Sequence, residues 1–513
     1  KTAGWDGLVV KGRASKPTYM VVTEEGVLFE DAKEVWGLDA WSAQERIAGK
    51  GPGVLAIGPA GENLVRYANI VSERRYLGRG GMGAVMGAKN LKGIVAKGGV
   101  YKIRPRDKKG FAKAKKKGSG YLNANRMTSI LYRDFGTAAN VNINNSAGIL
   151  PVRNFRDGMH RRAYEISGEA MREGHNTRHH TCKPCTILCG HKGEFDGKEL
   201  PVPEYETVVL LGSNIGIFDP SRIAEWNRIC GEMGMDTIST GATIAWVMEA
   251  TEKGLLESGL SFGSPEGVSE ILYDIAYGRG LGKEMGLGTR AMSKKHGGED
   301  FAIHVKGLEM AAYDPRGAFG QGLSYAVANR GGCHLSAYPL ALEIMFGLLD
   351  PYRTDAKAEF TRFLESLFCC INSLQTCLFT SFAYLLEPPM SRYTPNPVMG
   401  FLMQNVTRLA VNLVDFGLYR DLWSSITGIG ISGKEFLRAG DRIHVLERYM
   451  NTLEGISRKD DTLPIRMLKE GRRSDPKGRT VPLEEMLGRY YRIRGYDENG
   501  IPTEETLQSL GIQ

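Results

Sequence analysis

The sequence predicts an α+β protein: a β-rich N-terminal domain followed by two mainly α-helical domains. Three observations predict this. Up to about residue 104, short apolar runs rich in β-formers alternate with Gly, Pro and Asn. Beyond the lysine-rich stretch that begins at Lys108, the apolar period lengthens to that of a helix. The length of 513 residues, at roughly 150 per domain, allows two to four domains. The changes in pattern divide the chain at 1–104, 105–308 and 309–513.

The strand runs of the first part are GLVVKG, TYMVV, GVLF, GVLAIG, VRYANIV and GIVAKGG. One helix is expected among them, from about Asp39 to Lys50. The first segment already alternates, and the chain opens on Lys rather than Met, so the sequence is expected to enter this domain partway. In the second part, 3.6-residue periods span Asp219 to Met233, Ser239 to Lys253 and Pro265 to Gly278. Asp219-Pro220 pairs an N-cap with a proline suited to the first helical position. The last part is helical again, interrupted by the proline-rich patch Pro388–Pro397. No internal repeat stands out.

Hydrophobic residues make up 42% and charged residues 24%, as in ordinary globular proteins. No run of about 18 apolar residues suggests a membrane span, and no secretory signal is visible. Eight cysteines cluster in two places instead of spreading as a disulfide frame. That pattern suggests metal chemistry in a reducing, cytoplasmic setting. The net charge of +8 reads either as a solvated surface or as a docking face for an acidic partner. The densest basic run, Lys108 to Lys117, has Phe111 as its one aromatic, which argues against nucleic acid.

Four motifs carry chemistry. Cys182, Cys185 and Cys189 lie in HTCKPCTILCG. A structural zinc site and an iron–sulfur cluster both fit such a triplet, and both want a fourth ligand, for which remote Cys377 is the candidate. Cys369, Cys370, Cys230 and Cys333 read as apolar core residues. Gly78, Gly80 and Gly83 form a literal G-x-G-x-x-G, but no acidic residue follows about 20 positions on, as a dinucleotide site needs. Crowded glycines with Arg79 suit either close approach to an anionic ligand or a tight turn. Glu204 and Glu206, in PEYET, would share a face on a strand but diverge on a helix. His334 follows Gly331-Gly332-Cys333 and is a general acid/base candidate.

Together GRGGMGAVMGAKNLKG, the cysteine triplet, PEYE, GMDTISTG, YDPRG…SYA…RGGCH and DDTLPIR closely resemble the tungsten-containing aldehyde:ferredoxin oxidoreductase family, in order and approximate spacing over nearly the whole chain. The resemblance implies a β-rich base cradling a cofactor, with two helical domains closing over it and part of the base missing at its N-terminal end. It implies tungsten (or molybdenum) held by two pterins with no protein ligand, a [4Fe–4S] cluster on Cys182, Cys185, Cys189 and Cys377, and a role for Mg²⁺ in bridging pterin phosphates. Arg79, Gly80, Gly81 and Asp236 would contact pterin, as would Asn372 and Thr376 in the stretch leading to Cys377. Glu206 and His334 would be the proton-handling pair. The implied substrate is a small aldehyde, and the implied partner is ferredoxin or a ferredoxin-like subunit, in a homodimer or hetero-oligomer.

The chain departs from the family's D-x-x-G-L-D and D-x-x-G-L-C. The first reads Gly231 to Asp236 without its leading Asp, and the second has Asn372 for Asp and Gln375 for Gly. Ser336 stands where a basic residue often follows the histidine. These differences leave open a relative acting on an acid or an aromatic acyl thioester. An iron–sulfur electron-transfer subunit without pterin and a zinc-stabilised binding protein are the readings from other classes. By the resemblance, Glu225 suits a subunit-bridging iron site, but no histidine lies near 270–285, so no such iron is expected.

Overall fold

The structure is a computed structural model that describes residues 3–49, 51–99 and 101–512. Helix accounts for 51% of it and strand for 9%, an α+β chain with its main sheet near the N-terminus. It gathers into two units, each built from two stretches. Lys1–Ile103 joins Phe195–Ala302, and Arg104–Glu194 joins Ile303–Gln513.

The first unit is organised by a six-stranded sheet. Its strands are β1 (Thr18–Val22), β2 (Val27–Asp31), β3 (Gly53–Ala56), β4 (Ile70–Ser72), β5 (Arg75–Leu77) and β6 (Leu91–Ala96). Their order is β2-β1-β6-β3-β4-β5. The β1–β6 pair is parallel and the other neighbours are antiparallel. Successive residues of β1 serve opposite faces, as the pleat requires. Met20 packs with Ile57, Met86 and Leu91, whereas Val21 packs with Val54 and Val95. Both faces are therefore covered at β1, whereas the edge strands β2 and β5 stay largely exposed.

Two expected strands are corrected. Residues 7–12 form none: Val9 is exposed, and among the described residues no partner strand meets the run. Of VRYANIV only the end enters β4, because its earlier backbone groups bond elsewhere. Arg66 N–H donates to the Gly286 carbonyl at 2.8 Å and Asn69 N–H to the Gly234 carbonyl at 2.9 Å.

The expected helices form with their caps. Asp39 caps Ala40–Ala48, which ends at Gly49; Lys50 lies outside the described residues. Asp219 accepts from the N–H groups of Ser221 and Arg222 ahead of Pro220–Met233. Thr237–Glu252 follows, buried on all sides from Ile238 to Ala250, and then Val268–Tyr277.

The second unit is mainly helical. Lys357–Ser373 lies against Gly433–Leu453 so closely that a Cβ on Gly440 would come within 1.9 Å of the Ser366 carbonyl. Buried charge ties these helices to Leu483–Arg494. Arg494 binds Glu365 at 2.6 Å and Asp441 at 2.8 Å, and Tyr490 donates to Glu365 at 2.7 Å. Asp461, of the DDTLPIR motif, binds Arg448 at 2.7 Å and Lys306 at 2.8 Å. Removing one member of such a buried group costs about 3–5 kcal/mol, since the partner is left charged without compensation. Among the described residues no helix is long and apolar enough to cross a membrane.

His444 sits in this network, with Nε2 3.2 Å from the Tyr490 hydroxyl. Burial, then the nearby Arg494, Arg448 and Arg362, hold its pKa well below 6.5. Below pH 6.5 the unfolded chain therefore takes up a proton at His444 that the native chain refuses. We expect His444 to remove about 1.4 kcal/mol of stability per pH unit in that window. Denaturant unfolding of the wild type and of His444→Gln, compared across that window, should show a shallower acid loss in the variant.

Candidate functional site

Within the first unit the glycine-rich turn is shaped by backbone meeting backbone. A Cβ on Gly81 would come within 2.3 Å of the Arg66 carbonyl, and one on Gly83 within 2.4 Å of the Asn69 carbonyl. Gly81 also has φ of 74°, which glycine adopts without strain. The segment Arg66–Asn69 thus lies directly on the helix Met82–Ala88. On its other side, Asp236 N–H donates to the Tyr67 carbonyl at 3.0 Å, and Ala68 forms an isolated bridge with Met235.

This sandwich brings Arg79 to Asp236. The Arg79 Nε is 3.0 Å from Asp236 Oδ2, and less than a tenth of either side chain is exposed. Asp236 is also the N-cap of Thr237–Glu252, accepting from Ile238 N–H at 3.1 Å and from the Ser239 hydroxyl at 3.0 Å. Gly80, at φ 97°, has open space where a Cβ would stand. Arg79, Gly80, Gly81 and Asp236 therefore form one cluster. The glycines follow β5, an antiparallel edge strand, so no parallel strand–helix–strand unit of the dinucleotide-binding kind surrounds them.

Glu206 belongs to the helix Tyr205–Leu210, with Glu204 at its N-cap position. The two glutamates diverge, as on any helix. Glu204 is exposed and pairs with Arg75 at 3.0 Å, while Glu206 is half-buried. Thr207 and Thr237 share a hydroxyl hydrogen bond of 2.8 Å. The residue after Glu206 is thereby fastened to the residue after Asp236.

The second unit holds the cysteine triplet, Cys377 and His334. Strands β7 (Arg178–His179) and β8 (His191–Phe195) close the loop that carries the triplet. Leu188 N–H points at Cys185 Sγ at 3.3 Å. Cys185 and Cys189 are half-buried against an apolar cluster that includes Tyr132 and Phe382. Leu378 and Phe379, immediately after Cys377, pack on the same cluster. Cys182 and Cys377 are exposed. Among the described residues, no three His, Cys, Asp or Glu side chains gather as a single metal ion would require. The thiolates of a cubane bind separate irons and need not meet at one point.

The remaining cysteines sort differently. Cys230, Cys333 and Cys370 are buried, and Cys370 donates to the Phe436 carbonyl. Burial pushes the thiols of Cys230, Cys369 and Cys370 up to about 12, which disfavours the thiolate a metal needs.

His334 follows a turn in which a Cβ on Gly331 would come within 2.3 Å of the Val305 carbonyl. Its ring is half-buried, 5.6 Å from that of Tyr313 and 6.1 Å from that of Tyr338. Tyr313 opens the YDPRG motif, which gave it no role, and Tyr338 carried no sequence signal beyond lying near RGGCH. Asn372 is exposed near the end of Lys357–Ser373 and Thr376 is half-buried. Between them Gln375 has φ of 55°, the left-handed conformation that Gly234 adopts at 78° in the first motif. Gln375 thus holds the backbone shape of glycine at the place where the resemblance implies one. At Gly231, where the family's leading Asp is absent, a Cβ would come within 2.3 Å of the Tyr76 hydroxyl and 2.9 Å of Trp41.

These features define a redox enzyme by their likeness to known proteins. Residues 1–98 match the model of the aldehyde ferredoxin oxidoreductase N-terminal domain, and residues 113–512 match that of domains 2 and 3. The chain is similar to the tungsten-containing aldehyde ferredoxin oxidoreductase of Pyrococcus furiosus, at 37% identity over all of this chain and 82% of that one. The Thermococcus kodakarensis protein of the same name is 36% identical, with the same coverage. A P. furiosus aliphatic sulfonate oxidoreductase, WOR-like subunit, is 27% identical over all of this chain and 81% of its own. Among solved structures, an active-site complex BamBC of benzoyl coenzyme A reductase has the same fold, with a TM-score of 0.76 at 20% identity, covering 98% of this chain and 80% of its own. The chain belongs to the aldehyde ferredoxin oxidoreductase family and is an oxidoreductase.

The two acidic partnerships differ in burial, and their loss should differ accordingly. We expect Asp236→Ala to cost about 3–5 kcal/mol, because it removes the carboxylate of a buried ion pair together with a helix cap. Arg75→Ala, at an exposed pair, should cost less than about 1 kcal/mol. Chemical denaturation of both variants checks the contrast.

Proposed function

We propose that the chain oxidises a small aldehyde to a carboxylic acid and passes the electrons to ferredoxin or a ferredoxin-like subunit in a reducing cytoplasm. One observation carries the reading: the buried Arg79–Asp236 pair, whose helix is fastened through Thr207 and Thr237 to the helix of Glu206. In the overall reaction, aldehyde and water give carboxylate, three protons and two electrons. When bound, a tungsten (or molybdenum) bis-pterin supplies the two-electron chemistry, and a [4Fe–4S] cluster supplies the one-electron outlet.

The residues present fit these groups. Gly80 leaves its backbone open to close approach, and Arg79 offers a guanidinium already oriented by Asp236, which together suit a phosphate-bearing pterin with its Mg²⁺. Asn372 and Thr376 would hold the second pterin. Cys182, Cys185, Cys189 and Cys377 are four thiols of which two share an apolar cluster with the neighbours of the fourth. That is the donor chemistry of a cubane.

Glu206 would take the proton released as water adds to the carbonyl. His334, steadied by its tyrosine neighbours, would donate a hydrogen bond to the substrate oxygen. Each proton-handling group contributes roughly 10²–10⁴-fold. A second reading keeps the same machinery but changes the substrate, to an acid or an aromatic acyl thioester. The departures from the resembled pattern at Gly231, Asn372 and Ser336 keep it open.

Protein purified without oxygen should be brown and contain tungsten or molybdenum with about four irons per chain. Cys377→Ser should lose iron. Glu206→Gln should keep its iron and visible spectrum while aldehyde-dependent dye reduction falls by about 10²–10⁴-fold. A colourless wild type, or one carrying iron but neither tungsten nor molybdenum, would sink the reading.

A further inference from the structure

The lysine-rich run folds as the helix Lys108–Ala124, capped by Asp107. Its buried side is Ala114, Gly118 and Leu122. Lys108, Lys109, Lys113, Lys115, Lys116 and Lys117 are all exposed, and none makes an ion pair among the described residues. With Lys102, Arg104, Arg106 and Arg126, this stretch offers ten cations against one acid, Asp107. A simple solvated surface would intersperse opposite charges.

A second feature adjoins it. The short helices Pro389–Tyr393, Asn396–Asn405 and Thr407–Leu413 bury Met403 and Ala410 beneath them, against Leu348, Leu349 and Phe360. Outward they leave Met390, Tyr393, Val398, Phe401, Val406 and Leu409 exposed, Tyr393 to 75% and Phe401 to 63%. Residues 388–414 carry Arg392 and Arg408 and no acid. Six large apolar side chains exposed along three successive helices are more than the single scattered ones of an ordinary surface, and such groupings mark interaction sites.

The two features are joined. A Cβ on Gly118 would lie 2.6 Å from the Tyr384 hydroxyl, so the lysine helix packs on Thr380–Leu386. At its end, Asn125 donates to Glu387 at 3.0 Å, and Glu387 pairs with Arg392 at 3.3 Å, where the apolar helices begin. Exposed Cys377 lies three residues before the start of Thr380–Leu386, and the Thr380 hydroxyl donates to the Cys377 carbonyl at 2.7 Å.

We infer that this basic and apolar face docks an acidic, small electron-carrier protein, which takes one electron per encounter and has its ferric centre reduced to ferrous. The inference rests on the redox function proposed above. Positive charge speeds the approach of an acidic partner, and a small apolar centre lets each complex form and separate quickly. A second copy meeting this face with its own would set lysine against lysine, which argues against self-association here.

The test uses the full-length, cofactor-loaded chain, with aldehyde oxidation coupled either to a viologen dye or to an acidic bacterial ferredoxin. K113E/K116E/K117E should lower kcat/KM for ferredoxin about tenfold or more and flatten its salt dependence, with dye reduction unchanged. Y393S/F401S, at exposed positions where folding is not at stake, should raise the ferredoxin KM severalfold and leave the salt dependence in place. Unchanged ferredoxin kinetics, or a parallel fall with dye, overturns the inference. So does a face that serves another occupant: a dimer lost in Y393S/F401S by sedimentation, or binding to phosphatidylserine vesicles lost in the lysine variant, with ferredoxin kinetics intact. If the wild type shows no aldehyde-dependent dye reduction, the function proposed above fails by itself. The docking inference is then read by direct binding of ferredoxin to the immobilised chain, where loss in the lysine variant supports it and unchanged binding overturns it.

Discussion

Asp236 meets several demands at once, and the first unit is arranged around that fact. Its carboxylate caps a helix that is buried on all sides, and it holds the Arg79 guanidinium away from water. Its backbone N–H completes the contact with Tyr67. A buried charge survives only when paired and hydrogen-bonded, so the arginine, the cap and the backbone contact stand or fall together. The crowded glycines follow from the same constraint. The turn that delivers Arg79 can come this close to Arg66–Asn69 only if no side chain intervenes. The turn that carries Arg79 is therefore fixed by backbone packed on backbone.

Much of this was legible in the sequence because the signals were local. Asp39 and Asp219 announced helices by capping chemistry, and Asp219-Pro220 marked a start to the residue. TYMVV and GVLF paired as adjacent antiparallel strands, although only TYMVV had a face to bury and Leu28 and Phe29 of its partner stay exposed. GLVVKG misled because alternation states only that a strand would be amphipathic, not that a partner exists. The pairing of Arg79 with Asp236 spans 157 positions, and no periodicity reports a contact of that kind. Glu204 and Glu206 diverge because a helix starts between them, which the short run PEYET could not declare.

Burial separates the cysteines more sharply than spacing does. Cys230 and Cys370 lie in apolar surroundings that keep a thiol protonated. Cys182 and Cys377 face outward, and Cys185 receives a backbone N–H that stabilises negative charge on sulfur. The same eight residues thus divide into packing atoms and ligand candidates by environment. Gln375 teaches a related lesson. Its side chain departs from the family pattern, yet its left-handed backbone matches Gly234 in the companion motif. Conformation has been kept where identity has not.

The crowding at position 231 couples it to its neighbours. Tyr76 and Trp41 stand where a side chain on residue 231 would begin. The nearest obstacle is the hydroxyl at the far end of a tyrosine that is 40% exposed, so a residue larger than glycine here would have to push that ring outward. Exchanges at 76 and 231 should therefore not be additive.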